Sequence, residues 1–149
     1  MTELRDYSWL REHTELYLKD PVRAHDWDAT PVGGQGLVPT LLLTTVGRKS
    51  GATRPTPLLY QPAGSGFIVV ASRGGSDHHP AWYLNLLARP KCEIQVGKFS
   101  YSATARVLAS DERLPYWQWM VRFWPDYARY QARTEREIPV LILDAEPAR

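Results

Sequence analysis

The stretch TLLLTTVGRKSGATRPTPLLYQPAGSGFIVVAS, residues 40–72, decides the fold. β-Branched and apolar runs from Thr40 to Val46, Arg54 to Gln61 and Phe67 to Ser72 alternate with glycine-rich turns, the pattern of three antiparallel strands joined in sequence. Pro55 and Pro57 carry no amide hydrogen, so the second strand is expected at a sheet edge or on a bulge. Its backbone is then either left for a ligand or simply protected from edge pairing. The first turn, Gly47-Arg48-Lys49-Ser50-Gly51, with Arg54 just beyond it, gathers cations, a hydroxyl and flexible backbone amides. Such a set suits a phosphate or carboxylate, because charge-assisted hydrogen bonds are short and strong and glycine allows close approach. Pro57 and Leu58 supply an apolar slot beside this cradle. Ala71-Ser72-Arg73-Gly74-Gly75, at the exit of the third strand, offers backbone that can meet the polar edge of a flat ligand.

Working toward the C-terminus, Pro80 at a first helical position opens a short helix, Ala81 to Ala88, and Pro90 stops it. Lys91 to Val96 and Tyr101 to Leu108 read as a hairpin around Gly97-Lys98, with Tyr101, Ala103, Ala105 and Val107 alternating onto one face. Ser110 is the expected N-cap of the longest helix, with Asp111 and Glu112 in its first turn and Trp117, Met120, Val121 and Trp124 at helical spacing. Pro125 breaks that helix, a second short one carries Tyr127 and Tyr130, and Ile138 to Asp144 forms the last strand. About six antiparallel strands with peripheral helices make a mainly β, α+β, small barrel or curled sheet.

Toward the N-terminus, Asp6 to Lys19 is amphipathic, with Tyr7, Leu10, Thr14, Tyr17 and Leu18 near helical spacing, and is expected to pack on the body of the domain. Contact with a membrane surface is the alternative. Asp20 to Pro39 is rich in Gly, Pro and Asp and reads as a loop. The chain thus divides into an N-terminal helix and loop, 1–39, and the strand-rich remainder, 40–149, within one expected domain of 149 residues.

Composition narrows the chemistry. A formal net charge of +2 argues against nucleic acid as a partner unless the basic residues cluster. The lone cysteine, Cys92, excludes an intrachain disulfide and a thiolate metal cage, and its strand setting suggests an ordinary buried position in a reducing cytoplasm. No basic-then-apolar leader and no membrane-spanning apolar run is seen. The four histidines, His13, His25, His78 and His79, include no pair at helical ligand spacing, so no metal site is expected. A Gly-x-Ser-x-Gly elbow and a P-loop glycine are missing, and Gly33-Gly34-Gln35-Gly36 lacks the context of a dinucleotide fingerprint. What remains is the cationic turn, the glycine-rich strand exit and a set of aromatics including Trp82, Tyr83, Trp124, Tyr127 and Tyr130. Aromatic faces and backbone amides together suit a planar heterocycle; ordinary core packing is the plainer account, and Trp117 and Trp119 divide evenly between the two.

In order along the chain, 42–51, Arg54, Pro57-Leu58, 70–75 and Pro80-Ala81-Trp82-Tyr83-Leu84-Asn85-Leu86 resemble the deazaflavin-dependent nitroreductase family. The likeness continues through Trp124 to Tyr130 and Arg136 to Val140, about the last hundred residues. It implies a split β-barrel, FMN-binding-like, that uses reduced coenzyme F420, an 8-hydroxy-5-deazaflavin, as hydride donor to an enone, quinone or nitro compound. By the same resemblance Arg48, Lys49, Ser50 and Arg54 would hold the phosphate and oligoglutamate tail. Pro57, Leu58 and Ala71, Ser72, Arg73, Gly74 and Gly75 would line the ring, with Trp82, Asn85 and Leu86 behind that wall. Trp124, Tyr127, Tyr130 and Leu59 would face the acceptor, and Tyr130, Tyr127 or Ser72 would supply the proton or stabilise charge. Other members carry tyrosine where this chain has Trp124, and some carry a second tyrosine, beside the one matching Tyr60, where this chain has Leu59; these departures argue against nitroimidazole-type activity.

Three other classes stay open at this level. A protein of this kind without turnover would be a deazaflavin carrier or sensor; the same barrel with FMN would do flavin chemistry; and a barrel without cofactor would serve interaction alone. The sequence does not give the oligomeric state.

Overall fold

The computed structural model describes residues 8–30 and 36–146. Two helices come first, α1 (Ser8–Lys19) and α2 (Pro21–His25), followed by β1 (Asp26–Asp28), β2 (Leu37–Val46), β3 (Thr53–Leu59), β4 (Gln61–Ala63) and β5 (Gly66–Val70). A single 3-10 turn, Arg73–Gly75, leads to α3 (Ala81–Ala88), β6 (Lys91–Val96) and β7 (Phe99–Val107). The chain closes with α4 (Ser110–Phe123), α5 (Asp126–Ala132) and β8 (Val140–Ala145). The sheet runs β1-β2-β6-β7-β8-β5-β4, with β3 paired to β2, and every pairing is antiparallel. It curls into the half-barrel of a split-barrel fold.

Side-chain alternation shows why the sheet can bury both faces. Val69 and Ala71 join Leu141 and Leu143 in one core cluster, while Ile68 and Val70 join Val140 and Ile142 in a second. On β2, Leu41 and Leu43 enter the first cluster and Leu42 turns the other way, against Tyr17 of α1. With a period of 2, a strand rich in apolar residues at every position serves two layers. The second layer is completed by Met120 of α4, Trp124 at its C-cap and Tyr127 of α5.

Several expectations change. Among the described residues the strands number eight rather than about six, because β1 and β4 are three-residue strands too short to carry a periodic signal. Residues 20–39 are not one loop: Asp20 caps α2 through the Arg23 N–H with Pro21 in the first turn, and β1 pairs with the start of β2, Trp27 opposite Val38. The breaker cluster at 31–35 lies outside the described residues. The three sequential strands are not one meander either. β3 pairs only with β2, β4 forms the hairpin with β5, and β5 is completed by β8, 70 residues onward at Val70 opposite Val140. β3 is the edge strand that its prolines demanded.

Smaller corrections follow from local chemistry. Pro80 is the N-cap of α3 in an extended conformation, not its first helical residue. Ala109 rather than Ser110 is the N-cap of α4, since the Glu112 carboxylate reaches back to accept the Ala109 N–H at 3.0 Å and satisfies it without a capping hydroxyl. Leu18 faces solvent, so the inner stripe of α1 is Leu10, His13 and Tyr17; Tyr7 lies outside the described residues. Val107 is likewise exposed at the end of its otherwise inward face. Among the described residues no helix is long and apolar enough to cross a membrane.

Candidate functional site

A cavity of about 1230 Å³ opens between the β2–β3 hairpin, the loop after β5, the start of α3, and α1 and α5. Its polar end is the β2–β3 turn. Gly47 N–H donates to Ala52 O at 2.7 Å and Gly51 N–H to Gly47 O at 2.8 Å, closing the turn so that Arg48, Lys49 and Ser50 stand exposed on it. Ser50 Oγ accepts the Ala52 N–H, and a Cβ on Gly47 would lie 2.8 Å from that oxygen, so a side chain there would displace the Ser50 hydroxyl from its place in the turn. Arg54 leaves the turn on β3 and joins the same wall.

Asn85 holds this end to α3. Its buried side chain accepts from both the Arg48 N–H and the Arg48 guanidinium, and its Nδ2 donates to Thr45 Oγ1 at 3.0 Å. A buried amide with its acceptor and donor sides engaged ties three elements together and costs little, whereas the same groups unpaired would be destabilising.

The middle of the cavity is apolar and aromatic. Pro57, Leu58 and Leu59 come from the edge strand and Trp82 from α3, while Trp124, Tyr127 and Tyr130 close the far side. Ser72, Arg73 and Gly74 face them from the loop after β5. That loop is a left-handed turn: Arg73, Gly74 and Gly75 have φ of 45, 61 and 82°. Arg73 is the only non-glycine residue in that region among those described, a strain worth about 1–2 kcal/mol of the kind that clusters at ligand sites.

Two expected wall residues sit elsewhere, and Leu86 is core on the inner face of α3, behind the wall. Ala71, just past the end of β5, is core because alternation sends it inward with Val69. Gly75 is buried under Tyr130: a Cβ there would lie 2.6 Å from Tyr130 O, so its service is to let α5 approach. Trp117 and Trp119 are half-buried in the second core layer, and Trp117 packs on Tyr127 with ring centroids 6.2 Å apart. Cys92 is buried, and burial pushes its thiol up to about 12.

The wall that the sequence did not disclose is N-terminal. Trp9, Leu10 and His13 of α1 and Trp27 of β1 line the cavity opposite the loop. Trp27 stacks between Trp9 and His13, both at 5.3 Å. His13 Nε2 donates to Ala24 O at 3.0 Å, and burial holds its pKa below the usual histidine range. Tyr17 locks the helix down by donating to Thr40 O at 2.7 Å and accepting from Gly97 N–H at 3.1 Å. The amphipathic spacing was a signal for packing, but nothing local says that the packed face borders a cavity.

The two tyrosines differ in setting. Tyr127 is buried and its phenol is pushed well above the ordinary range, by burial first and Tyr130 second. Tyr130 is half-buried, 6.0 Å from the Tyr127 ring, with the Arg133 guanidinium 5.7 Å from its face. Among the described residues neither hydroxyl has a hydrogen-bond partner, and no buried side-chain oxygen or nitrogen is sealed without one, so both hydroxyls meet open space.

The family model of the F420H(2)-dependent quinone reductases matches residues 9–145. An F420H(2)-dependent quinone reductase of Mycobacterium tuberculosis is 35% identical over 149 residues, covering 91% of this chain and 95% of that protein. The structure of an F420-H2 dependent reductase is 41% identical with a TM-score of 0.64, over 70% of this chain and 92% of that one. A domain-swapped dimer is 37% identical with a TM-score of 0.67, over 91% of this chain and 97% of that one. The match reaches α1, well beyond the hundred residues in which the sequence motifs lie.

Proposed function

The chain belongs to the F420H(2)-dependent quinone reductase family, and from that premise we propose that it transfers a hydride from reduced coenzyme F420 to a quinone, with enones and nitro compounds as further electron-poor acceptors. The observation that carries the site assignment is the polarity of the cavity: exposed cations at one end, a flat apolar and aromatic slot in the middle. The residues present fit the group. Arg48, Lys49, Ser50 and Arg54 match a phosphate and a carboxylate tail, as an always-charged planar guanidinium and a hydroxyl should. Pro57, Leu58 and Trp82 form the slot for the ring, and the Ser72 N–H, which no acceptor takes among the described residues, faces its polar edge.

When bound, reduced F420 supplies the hydride; the protein's part is to hold two flat molecules face to face and keep water out. Trp124, Leu59, Tyr127 and Tyr130 form the acceptor side. A quinone that gains a hydride needs one proton to become the quinol. Tyr130 and Tyr127 stand ready to donate it or to stabilise the oxyanion, because phenols remain protonated at neutral pH and burial keeps Tyr127 so; Ser72 ranks behind them. A cytoplasmic setting belongs to this reading, supported by a single, buried thiol.

The test is a fluorescence titration with oxidised F420 and, in parallel, FMN, followed by quinone-dependent oxidation of reduced F420. Saturable binding of the deazaflavin with acceptor-dependent turnover is expected. Binding without turnover by any acceptor would make the protein a carrier, and preference for FMN would replace the cofactor assignment.

A further inference from the structure

Arg136, in the segment between α5 and β8, lies behind the ring wall rather than in the cavity. Its Nε donates to Ser76 O at 2.7 Å, Nη2 to Ser72 O at 2.8 Å, and Nη1 to Ala71 O at 3.3 Å and His79 Nδ1 at 3.1 Å. One guanidinium thus gathers three carbonyls and an imidazole from a single loop 60 residues earlier. Arg133 adds Gly74 O at 3.3 Å, and Thr134 donates to Asp77 at 2.8 Å.

Two consequences follow from covalent geometry. All described peptides are trans, and in a trans peptide the carbonyl and the next residue's N–H point oppositely. The Ala71 carbonyl drawn toward Arg136 therefore turns the N–H of Ser72 away from it, and Ser72 lines the cavity; the Ser72 carbonyl is shared between Arg136 and the Gly75 N–H at 2.9 Å. The second concerns tautomer: an arginine only donates, so His79 Nδ1 must accept and its ring proton resides on Nε2. His79 also lines the cavity, and among the described residues its Nε2 has no partner and is not sealed off.

We propose that Arg136 is the positioning residue of the ring wall, which by this fork aims the Ser72 amide and a neutral His79 Nε2–H at the oxygen-bearing edge of the bound planar ring. The identity of that ring rests on the F420 reading above; the positioning itself does not. The groups around His79 agree with a neutral imidazole: Arg136 on one side, the Tyr83 ring of α3 at 4.7 Å, and Asp77 and Arg73 acting on Arg136. Burial, then the Arg136 charge, lowers its pKa. A neutral donor of this kind recognises a carbonyl oxygen without a net charge in the slot.

The test uses the whole protein, first without cofactor. Imidazole ¹⁵N NMR should find His79 as the Nε2–H tautomer, and Arg136→Met should mix the tautomers and raise amide exchange across 71–79 by about tenfold or more. Should R136M not fold, Arg136→Lys, which keeps the charge but cannot span three carbonyls, gives the same readouts. Unchanged exchange and tautomer in a folded variant overturn the proposal. With oxidised F420, R136K and His79→Leu should weaken binding about tenfold, and His79→Gln, whose amide N–H can stand near Nε2, should recover most of the loss. Wild-type affinity in R136K and His79→Leu overturns the ring-recognition half. If the wild type itself fails to bind F420, the functional reading falls, while NMR and exchange still decide Arg136.

Discussion

Oδ1 of Asn85 receives both the backbone N–H and the guanidinium of Arg48, at 3.1 and 3.2 Å, so a helix residue inside the core sets the direction of the first cation of the proposed anion cradle. The wall of the slot and its charged end are in this way parts of one rigid unit. Replacing Asn85 by Leu strands the Arg48 N–H and Thr45 hydroxyl, and should cost about 2 kcal/mol in denaturant unfolding while also weakening F420 binding. Loss of stability with unaltered affinity would show that Asn85 supports the core alone.

Arg48→Ala with Lys49→Ala should weaken F420 binding, and the loss should shrink as salt rises, since exposed charges act through a screened field. A dissociation constant that matches wild type at low ionic strength would refute the cradle.

Gly75→Ala meets Tyr130 O at 2.6 Å and must also hold φ at +82°. Gly64→Ala has the same kind of φ, +57°, but open space around it. Both should lose about 1–2 kcal/mol of stability from the left-handed backbone, Gly75→Ala more, and only Gly75→Ala should lower turnover by displacing α5. Equal turnover in the two variants would separate α5 from the chemistry.

Tyr130→Phe removes a hydroxyl that meets the cavity. Turnover with a quinone should fall about tenfold or more while F420 affinity stays near wild type, because a proton donor acts in the transition state and not in cofactor binding. Tyr127→Phe is the companion, and the larger fall identifies the donor. Unchanged turnover in both would remove the tyrosines from proton delivery.

His13 carries a pH prediction. Its folded-state pKa is below the ordinary 6.5, by burial, against the smaller raising effect of the Ala24 carbonyl. As pH falls through about 6.5 the unfolded chain protonates first, so stability is full above that value and declines as pH drops toward the lowered one. Tm should be lower at pH 5 than at pH 7.5, and His13→Gln should flatten the difference. Parallel declines in wild type and variant would assign the effect to other groups.

How much of this was legible is clearest residue by residue. The edge strand was readable because Pro55 and Pro57 lack donors, the cationic turn because Gly47 and Gly51 bracket Arg48, Lys49 and Ser50, and the break between α4 and α5 because Pro125 forbids continuation. Each is a property of neighbours in sequence, set by local backbone chemistry. The placement of Ala71 in the core was missed: being adjacent to a site says little when alternation turns the side chain away. The pairing of β5 with β8, the aromatic wall of Trp9, Trp27 and His13, and the Arg136 fork on the Ser72 loop join residues of different elements, well separated in the sequence. Such contacts leave no periodic trace, because they are selected by how the layers pack. Strand, turn and charge were thus written locally along the chain, whereas the second wall of the cavity and the Arg136 contacts behind the Ser72 loop came from the folding of distant segments onto one another.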